Sequence, residues 1–203
     1  MLTNKLMEQV LFRACKAGVL LAGTILLIAC SPKLDWRTVQ SPQERYTALF
    51  PGKPNKLERR IPYQEQELQQ TLEAVKIDDD IYSISSIQVP ANQAVATEKI
   101  IMQLKNNLLE RAKVSGGIVV EENASYLVSN RQRLPTIDYF ITFKSNGKTQ
   151  QQMKVRWITR QAPNGDAWIY QVSVLHANAN ADDAKTLLSK EEYANFFNDF
   201  YPE

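Results

Sequence analysis

Apolar and polar residues alternate along most of the chain after residue 43, a spacing typical of β-strands with one buried face. Short polar breaks such as Asp78-Asp79-Asp80 and Ser145-Asn146-Gly147 separate neighbouring segments and indicate tight hairpin turns. The last three predicted strands follow one another through such turns, so we expect them to form an antiparallel meander. The strands are predicted at Glu44–Phe50, Leu68–Ile77, Ile81–Val89, Ile118–Glu122, Tyr126–Leu134, Thr136–Lys144, Thr149–Arg160 and Ala167–His176.

Helical spacing replaces this alternation in two regions. From Ala94 to Lys113, apolar residues recur at three- and four-residue intervals and the pattern ends at Ser115-Gly116-Gly117. A second helix is predicted from Lys190 to Tyr201, with a capping box at Ser189–Glu192 and a preceding helical turn at Asp182–Leu188. Because the meander strands carry apolar residues on both faces, we expect helices to cover both. The predicted fold class is α+β, an antiparallel sheet covered by helices in one domain over residues 44–203.

The first thirty residues have the organisation of a bacterial export signal. A basic segment precedes the apolar run Ala17–Ile28, whose 12 residues suit a signal peptide and fall short of the roughly 20 that span a membrane. Leu27-Ile28-Ala29-Cys30 resembles the bacterial lipoprotein box. In that family diacylglycerol is attached to the cysteine sulfur and a peptidase cuts before it, here between Ala29 and Cys30. The resemblance implies a signal peptide at 1–29, and we predict a lipidated Cys30 that begins a flexible tether at 30–43.

Several acyl chains on one residue make a durable membrane anchor, whereas one chain binds weakly. A short transmembrane anchor and a secreted protein with a chance cysteine are the alternatives, and Met7 is an alternative start to Met1. Ser31 follows the cysteine, which under enteric-type sorting permits export to the outer membrane. We therefore predict a protein anchored in the outer membrane and facing the periplasm, with the inner membrane and the cell surface as alternatives.

Composition excludes several classes of function for the mature chain. Residues 1–29 take three of the 24 Lys and Arg and one of the 22 Asp and Glu, which leaves 21 of each and no net positive field for nucleic acid. Cys15 leaves with the leader and Cys30 carries the lipid, so no thiol remains for catalysis or a disulfide. A single histidine, His176, rules out a His/Cys metal cluster. We predict no cofactor, no metal site and no nucleic-acid partner.

The sequence offers few catalytic candidates. His176 is the one available base for a serine triad, but no Gly-x-Ser-x-Gly elbow accompanies it. Asp78-Asp79-Asp80 lacks the spaced ligands, glycine and final glutamate of a calcium loop, so we interpret it as a solvated hairpin tip. We predict no catalytic residue, and an acid/base hydrolase that uses Asp138 or His176 is the least favoured hypothesis.

Basic residues mark the most interesting candidate site. Two lie on one face of one predicted strand and three on one face of another, with Asp138 on the strand between them in sequence. Such a patch could bind an anionic ligand or partner, such as phosphate, a lipid headgroup or a peptidoglycan carboxylate. The favoured alternative is a solvated sheet face on which Asp138 pairs across strands. The five basic residues are Arg131, Arg133, Lys154, Arg156 and Arg160.

Two short motifs give the chain a family resemblance. The first predicted strand ends in Phe-Pro-Gly-Lys-Pro (residues 50–54), and Phe196, Phe197 and Phe200 form a closing Phe-Phe-x-x-Phe segment. With the central helix and the meander, this order resembles the PsbP-like α/β/α sandwiches, in particular uncharacterised bacterial envelope members. Known relatives of that fold are mostly non-enzymatic: extrinsic assembly or stabilising subunits, a nuclear-transport accessory factor and envelope lipoproteins.

These observations together lead to one functional hypothesis and two alternatives. We expect a lipid-anchored, periplasm-facing accessory or binding protein of the bacterial cell envelope. Its membrane contact would be the N-terminal lipid, and its partner an envelope protein or a cell-wall component. A carrier of a small or lipidic ligand between sheet and helix is the alternative, and the acid/base hydrolase is the second alternative.

Overall fold

The alternating segments pair into two antiparallel sheets. The computed structural model describes residues 33–63, 66–93, 95–178 and 183–203; the leader, Ala29 and Cys30 lie outside these ranges. The strands are β1 (Arg37–Ser41), β2 (Tyr46–Phe50), β3 (Asn55–Tyr63), β4 (Gln66–Ile77), β5 (Asp80–Val89), β6 (Ile118–Leu127), β7 (Arg133–Ser145), β8 (Lys148–Gln161), β9 (Ala167–His176) and β10 (Phe200–Pro202). The helices are α1 (Ala96–Val114), α2 (Ala184–Leu188) and α3 (Glu191–Asn198), with a 3₁₀ turn at Ala91–Gln93.

The larger sheet has seven strands in the order β3-β4-β5-β9-β8-β7-β6, and every neighbouring pair is antiparallel. The predicted hairpins are present, since β4 turns into β5 through Asp78 and β7 turns into β8 through Asn146 and Gly147. All three of these turn residues have positive φ angles, which tight hairpin turns require. The smaller sheet has the order β1-β2-β10. The predicted α+β fold class is confirmed.

Helix α1 covers one face of the large sheet. Its residues Ile100 and Ala112 are buried, and Ile101, Leu104 and Leu108 pack against the sheet beside them. The spacing read from the sequence therefore gives the buried side of the helix. No helix within the described ranges is long and apolar enough to cross a bilayer.

The small sheet, α2 and α3 cover the opposite face, where the core is mainly aromatic. The rings of Phe50 and Phe196 have centroids 5.2 Å apart, and Phe200 lies 5.4 Å from Tyr170. Edge-on contacts of this kind are favoured by the ring quadrupoles. The fully buried phenylalanines of the closing motif, Phe196, Phe197 and Phe200, are thus the contact between the end of the chain and the sheet.

Buried hydrogen bonds link the small sheet to the large one. Glu73 on β4 accepts hydrogen bonds from the Tyr46 hydroxyl and from Ser41 Oγ, the latter at 2.7 Å. Tyr170 on β9 donates to the backbone carbonyls of Glu44 and Arg45 at 2.9 and 3.1 Å. Burial raises the pKa of Tyr46 and Tyr170, first by desolvation of the ionised phenol.

The predicted tether at 30–43 is wrong for its second half. Residues Arg37–Ser41 form β1, which pairs along its whole length with β2, and the compact unit of the structure spans Leu34–Glu203. Trp36 and Val39 pack on the aromatic core. This strand is too short and too polar to show an alternating pattern in the sequence. It forms because β2 provides a strand with which it can pair.

Strand boundaries also differ around β6 and β7. The sequence predicts two strands at Ile118–Glu122 and Tyr126–Leu134, whereas β6 is continuous from 118 to 127 and Arg131, with a φ of 65°, lies in the turn. Pro135 lies inside β7 rather than ending a strand. This part of β7 has a sheet neighbour on one side only, because its pairing with β8 begins at Asp138, and proline is tolerated on such an edge.

The end of the chain is partly strand rather than helix. The predicted helix Lys190–Tyr201 is observed at 191–198, and Phe200 and Tyr201 belong to β10, which pairs with β2. The capping box is absent, because Lys190 is the N-cap and no side chain caps it. Asp183 caps the preceding helix instead, accepting from the backbone N–H groups of Lys185 and Thr186. Strand β3 was not predicted, since nearly all of its residues are exposed and their polarity does not alternate clearly.

Candidate functional site

Two of the predicted basic residues are buried around Asp138. In the β7–β8 register Asp138 lies opposite Arg156, whose Nε and Nη2 donate to the two carboxylate oxygens at 2.6 and 2.9 Å. Lys154 Nζ lies 3.1 Å from Asp138 Oδ2. Asp138, Lys154 and Arg156 are only 5%, 7% and 3% exposed. The structure therefore confirms cross-strand pairing of Asp138, but the pair is buried and not on a solvated face.

Helix α3 covers this cluster. Arg156 Nη1 donates to the backbone carbonyl of Phe197 at 3.0 Å, and Lys154 Nζ lies 4.4 Å from the centre of the Phe197 ring. Two cations thus share one carboxylate and one aromatic face, and Arg156 also donates to a carbonyl oxygen. Desolvation lowers the pKa of Lys154, and the charge of Asp138 opposes that shift. Neither cation is on an exposed surface, so the predicted patch of five residues does not exist as one surface.

The remaining predicted arginines lie near β10. Arg160 is half-buried at the end of β8, and its Nε donates to the backbone carbonyl of Glu203 at 3.4 Å. The same glutamate contacts Arg45, with Nη2 and Oε2 3.4 Å apart, and its N–H donates to the Arg45 carbonyl at 3.0 Å. Arg45 lies in the β1–β2 turn with a φ of 57°. Sequence reasoning missed Arg45, because no pattern links that turn to the end of the chain.

The β6–β7 turn borders β10 from the other side. Ser129 donates its N–H to the Pro202 carbonyl at 3.3 Å, which places the turn that contains Arg131 beside β10. Arg133 follows at the start of β7, and its Nη1 donates to Ser125 Oγ at 2.8 Å. We call this region the β10 surface. Its charged residues are Arg45, Arg131, Arg133, Arg160, Asp199 and Glu203.

A polar cleft of about 250 Å³ lies within the β10 surface. It is lined by residues of the β6–β7 hairpin and by residues at the end of α3 and in β10, which are Ser125, Tyr126, Leu127, Arg133, Asn198, Asp199 and Tyr201. Asp199 Oδ1 accepts a hydrogen bond from the Tyr201 hydroxyl at 2.7 Å, which raises the pKa of that phenol. The cleft therefore combines the guanidinium of Arg133 with the amide and the carboxylate of the adjacent residues Asn198 and Asp199, which are distant from Arg133 in sequence.

The histidine singled out by the sequence has a structural partner. His176 Nδ1 lies 2.6 Å from Asp80 Oδ1, and Tyr193 donates its hydroxyl to Asp80 Oδ2 at 3.0 Å, so the three residues join β9, β5 and α3. Ser173, on the same strand, contacts Ser83 on the opposite face of the sheet. In the described contacts His176 therefore has an orienting carboxylate but no hydroxyl nucleophile.

The described residues contain no group of three or more His, Cys, Asp or Glu side chains arranged to hold a metal ion. The acidic hairpin tip at Asp78 and Asp79 is exposed, as the sequence predicts. Asp80 differs from its neighbours, because it is buried against His176 and Tyr193.

Comparisons with known proteins add a distant likeness of fold. No protein-family model matches the sequence, and no curated protein matches it. The structure is similar to the solution structure of cyanobacterial PsbP (CyanoP) from Synechocystis sp. PCC 6803, with 11% sequence identity, 86% of this chain and 96% of that chain covered, and a TM-score of 0.46. That neighbour carries the name of the family that the sequence motifs resemble. A likeness at this distance carries no argument about function.

Proposed function

We propose that this chain is a lipid-anchored accessory protein of the bacterial cell envelope, whose periplasm-facing domain binds an acidic partner protein through the β10 surface. The observation that supports binding is the composition of that surface, which has four arginines and two acidic residues and in which one of the arginines, Arg45, pairs with a carboxylate, that of Glu203. The lipoprotein box supports the anchor, and the outer membrane is the proposed location.

Arginine suits this role because its planar fork donates two parallel hydrogen bonds to a carboxylate. The excess positive charge is local, since the predicted mature chain carries equal numbers of basic and acidic residues. A local excess of positive charge orients an approaching acidic protein surface, whereas the rest of the neutral domain does not attract anions. The arginines border β10 on both sides, a spread that favours a macromolecule over a small ion. Because they are exposed or half-buried, the interaction should weaken as salt increases.

Charge reversal at the β10 surface should abolish partner contact. With a photo-crosslinking residue at the exposed position Gln132, we expect the full-length protein in membranes to form a discrete adduct. The Arg131→Glu/Arg160→Glu variant should reduce that adduct at least tenfold. Its matched control is Arg60→Glu/Lys99→Glu, which makes the same change in charge at exposed residues on β3 and α1. Equal adduct yields from the two variants would refute docking at the β10 surface.

The anchor is tested separately at Cys30. In Cys30→Ser the sulfur that would carry diacylglycerol is absent, so we expect unprocessed precursor, loss of the lipid mass and a shift from the membrane to the soluble fraction. Mass spectrometry and fractionation measure these changes. If mass, processing and fractionation were the same as in the unmodified protein, the lipoprotein assignment would be wrong, whatever the crosslinking shows.

A further inference from the structure

The residues that line the cleft within the β10 surface indicate which chemical groups a ligand there must have. We propose that it binds the carboxylate end of a peptide or an amino acid, with the carboxylate on Arg133 and the adjacent amide or ammonium N–H on Asp199. The inference rests on the proposed binding function, since a peptide end would be the part of the partner that enters the cleft. A free amino acid has the same chemistry, a carboxylate with an N–H donor on the neighbouring carbon, and the titration below separates the two sources.

Arg133 provides the anion-binding half of the cleft. Its Nη1 donates to Ser125 Oγ at 2.8 Å, and the described contacts leave Nε and Nη2 for a ligand. Two such donors in one plane match the two oxygens of a carboxylate. The amide of Asn198 lines the same cleft and can donate to either oxygen.

Asp199 provides the hydrogen-bond acceptor of the cleft, and its negative charge disfavours a ligand that is only an anion. One of its oxygens accepts from Tyr201, and the second is a further acceptor on a residue that lines the same cleft as Arg133. A phosphate on Arg133 would meet this negative charge, whereas an N–H beside a carboxylate would donate to it. The guanidinium donors of Arg133 and the carboxylate acceptor of Asp199 therefore favour a ligand that has both a carboxylate and an N–H donor.

The size of the cleft limits the ligand to the end of a chain. Pockets for drug-sized molecules measure about 300–1,000 Å³, and this one measures about 250 Å³. We therefore expect it to hold one or two terminal residues while the rest of a peptide lies outside. Arg131 lies in the β6–β7 turn just before Arg133, where it could contact that outer part.

Backbone pairing holds both halves in place. Arg133 is opposite Leu127 in the β6–β7 register, and Tyr201 is opposite Thr47 in the β10–β2 register. The Asp199 carbonyl accepts from the N–H of Leu49 at 3.1 Å. Ligand groups on strands and strand ends are positioned more accurately than groups on long loops, so little ordering should accompany binding.

The proposal can be tested by calorimetric titration of the full chain in detergent micelles. Four probes separate the possibilities: acetyl-Ala-Ala, alanine, acetyl-Ala-Ala-amide and inorganic phosphate. We expect binding of acetyl-Ala-Ala, alanine or both, and the stronger of the two identifies the source as a peptide end or a free amino acid. The amide lacks the carboxylate and phosphate lacks the N–H, so neither should bind.

Variants then assign the two halves of the site. Arg133→Gln should weaken binding of the carboxylate probe by about 10- to 100-fold, the range for loss of a charged hydrogen-bonded partner. Asp199→Asn keeps the acceptor for Tyr201 and should weaken it less, by several fold. Arg60→Gln, at an exposed position of β3 that does not line the cleft, is the matched control and should bind as the unmodified protein does. Thermal unfolding of each variant confirms that it is folded.

Two results would overturn the inference. One is that neither acetyl-Ala-Ala nor alanine binds; the other is that phosphate binds as well and Asp199→Asn strengthens it, which would make the cleft a general anion site. Failure here is distinct from failure of the docking proposal, since the crosslinking experiment changes Arg131 and Arg160 and leaves the cleft residues unaltered.

Discussion

Replacing Asp138 with alanine should lower the free energy of unfolding by about 3–5 kcal/mol, the cost of leaving a buried charge without its partner. The carboxylate holds Arg156 by two hydrogen bonds and Lys154 by a third contact, and all three groups are buried beneath α3. Lys154 can relieve its part of the cost by losing a proton. Arg156 cannot, because guanidinium stays protonated in proteins. Urea unfolding of the full chain measures the loss.

Two controls separate the buried charge from the loss of a side chain. Asp35→Ala breaks the exposed pair with Arg37 and should cost no more than about 1 kcal/mol. Replacing the whole cluster, as Asp138→Leu/Lys154→Met/Arg156→Met, removes the charges together and should cost much less than Asp138→Ala alone. If the single and triple variants were equally unstable, packing and not charge would be the main contribution of Asp138.

Raising the pH above about 10 should unfold the protein cooperatively. Desolvation raises the pKa of four buried tyrosines, Tyr46, Tyr82, Tyr170 and Tyr193, so the folded state retains phenol protons that the unfolded chain releases near pH 10. The state with fewer bound protons is favoured as pH rises, and each such tyrosine therefore lowers stability by roughly 1.4 kcal/mol per pH unit. Lys154 acts in the opposite direction, because its pKa is lowered, but its contribution is complete near pH 10.5.

Phenolate absorbance and circular dichroism should report this transition together, since the buried tyrosines ionise only when the chain unfolds. Tyr82→Phe removes one of the four phenols and keeps the ring that stacks on Tyr193. Its alkaline midpoint should therefore be higher than that of the unmodified protein, with stability at neutral pH nearly unchanged. Gradual titration of all tyrosines near pH 10 with unchanged circular dichroism would contradict the prediction.

Local pattern predicted β4, β5 and the β7–β8–β9 meander of the large sheet, but not β3 or the bounds of β6. The hairpin after β4 and the meander β7–β8–β9 have both alternation and turn residues with positive φ, so two local signals agree on each element. Helix α1 could also be predicted from the sequence, because its buried residues recur with a helical period. These elements are specified by residues that are neighbours in sequence.

The candidate site was less predictable because its residues meet only through long-range packing. Sequence placed Arg131, Arg133, Lys154, Arg156 and Arg160 in one group by strand alternation, which cannot show that α3 covers two of them. Arg45 and Asp199 carry no motif, and they join the site because β10 pairs with β2. The assignments of Ala29 and Cys30 remain predictions, as they lie outside the described residues.

The pairing of β2 with β10 joins Tyr46 to Pro202 across most of the domain. Contacts so distant in sequence form late and slowly, because the intervening chain must first be arranged. While the chain folds, the guanidinium groups of the β10 surface would thus lie apart until the final strand docks. Under the docking we propose, recognition there would act as a maturity check, because a partner would engage only molecules whose assembly is finished.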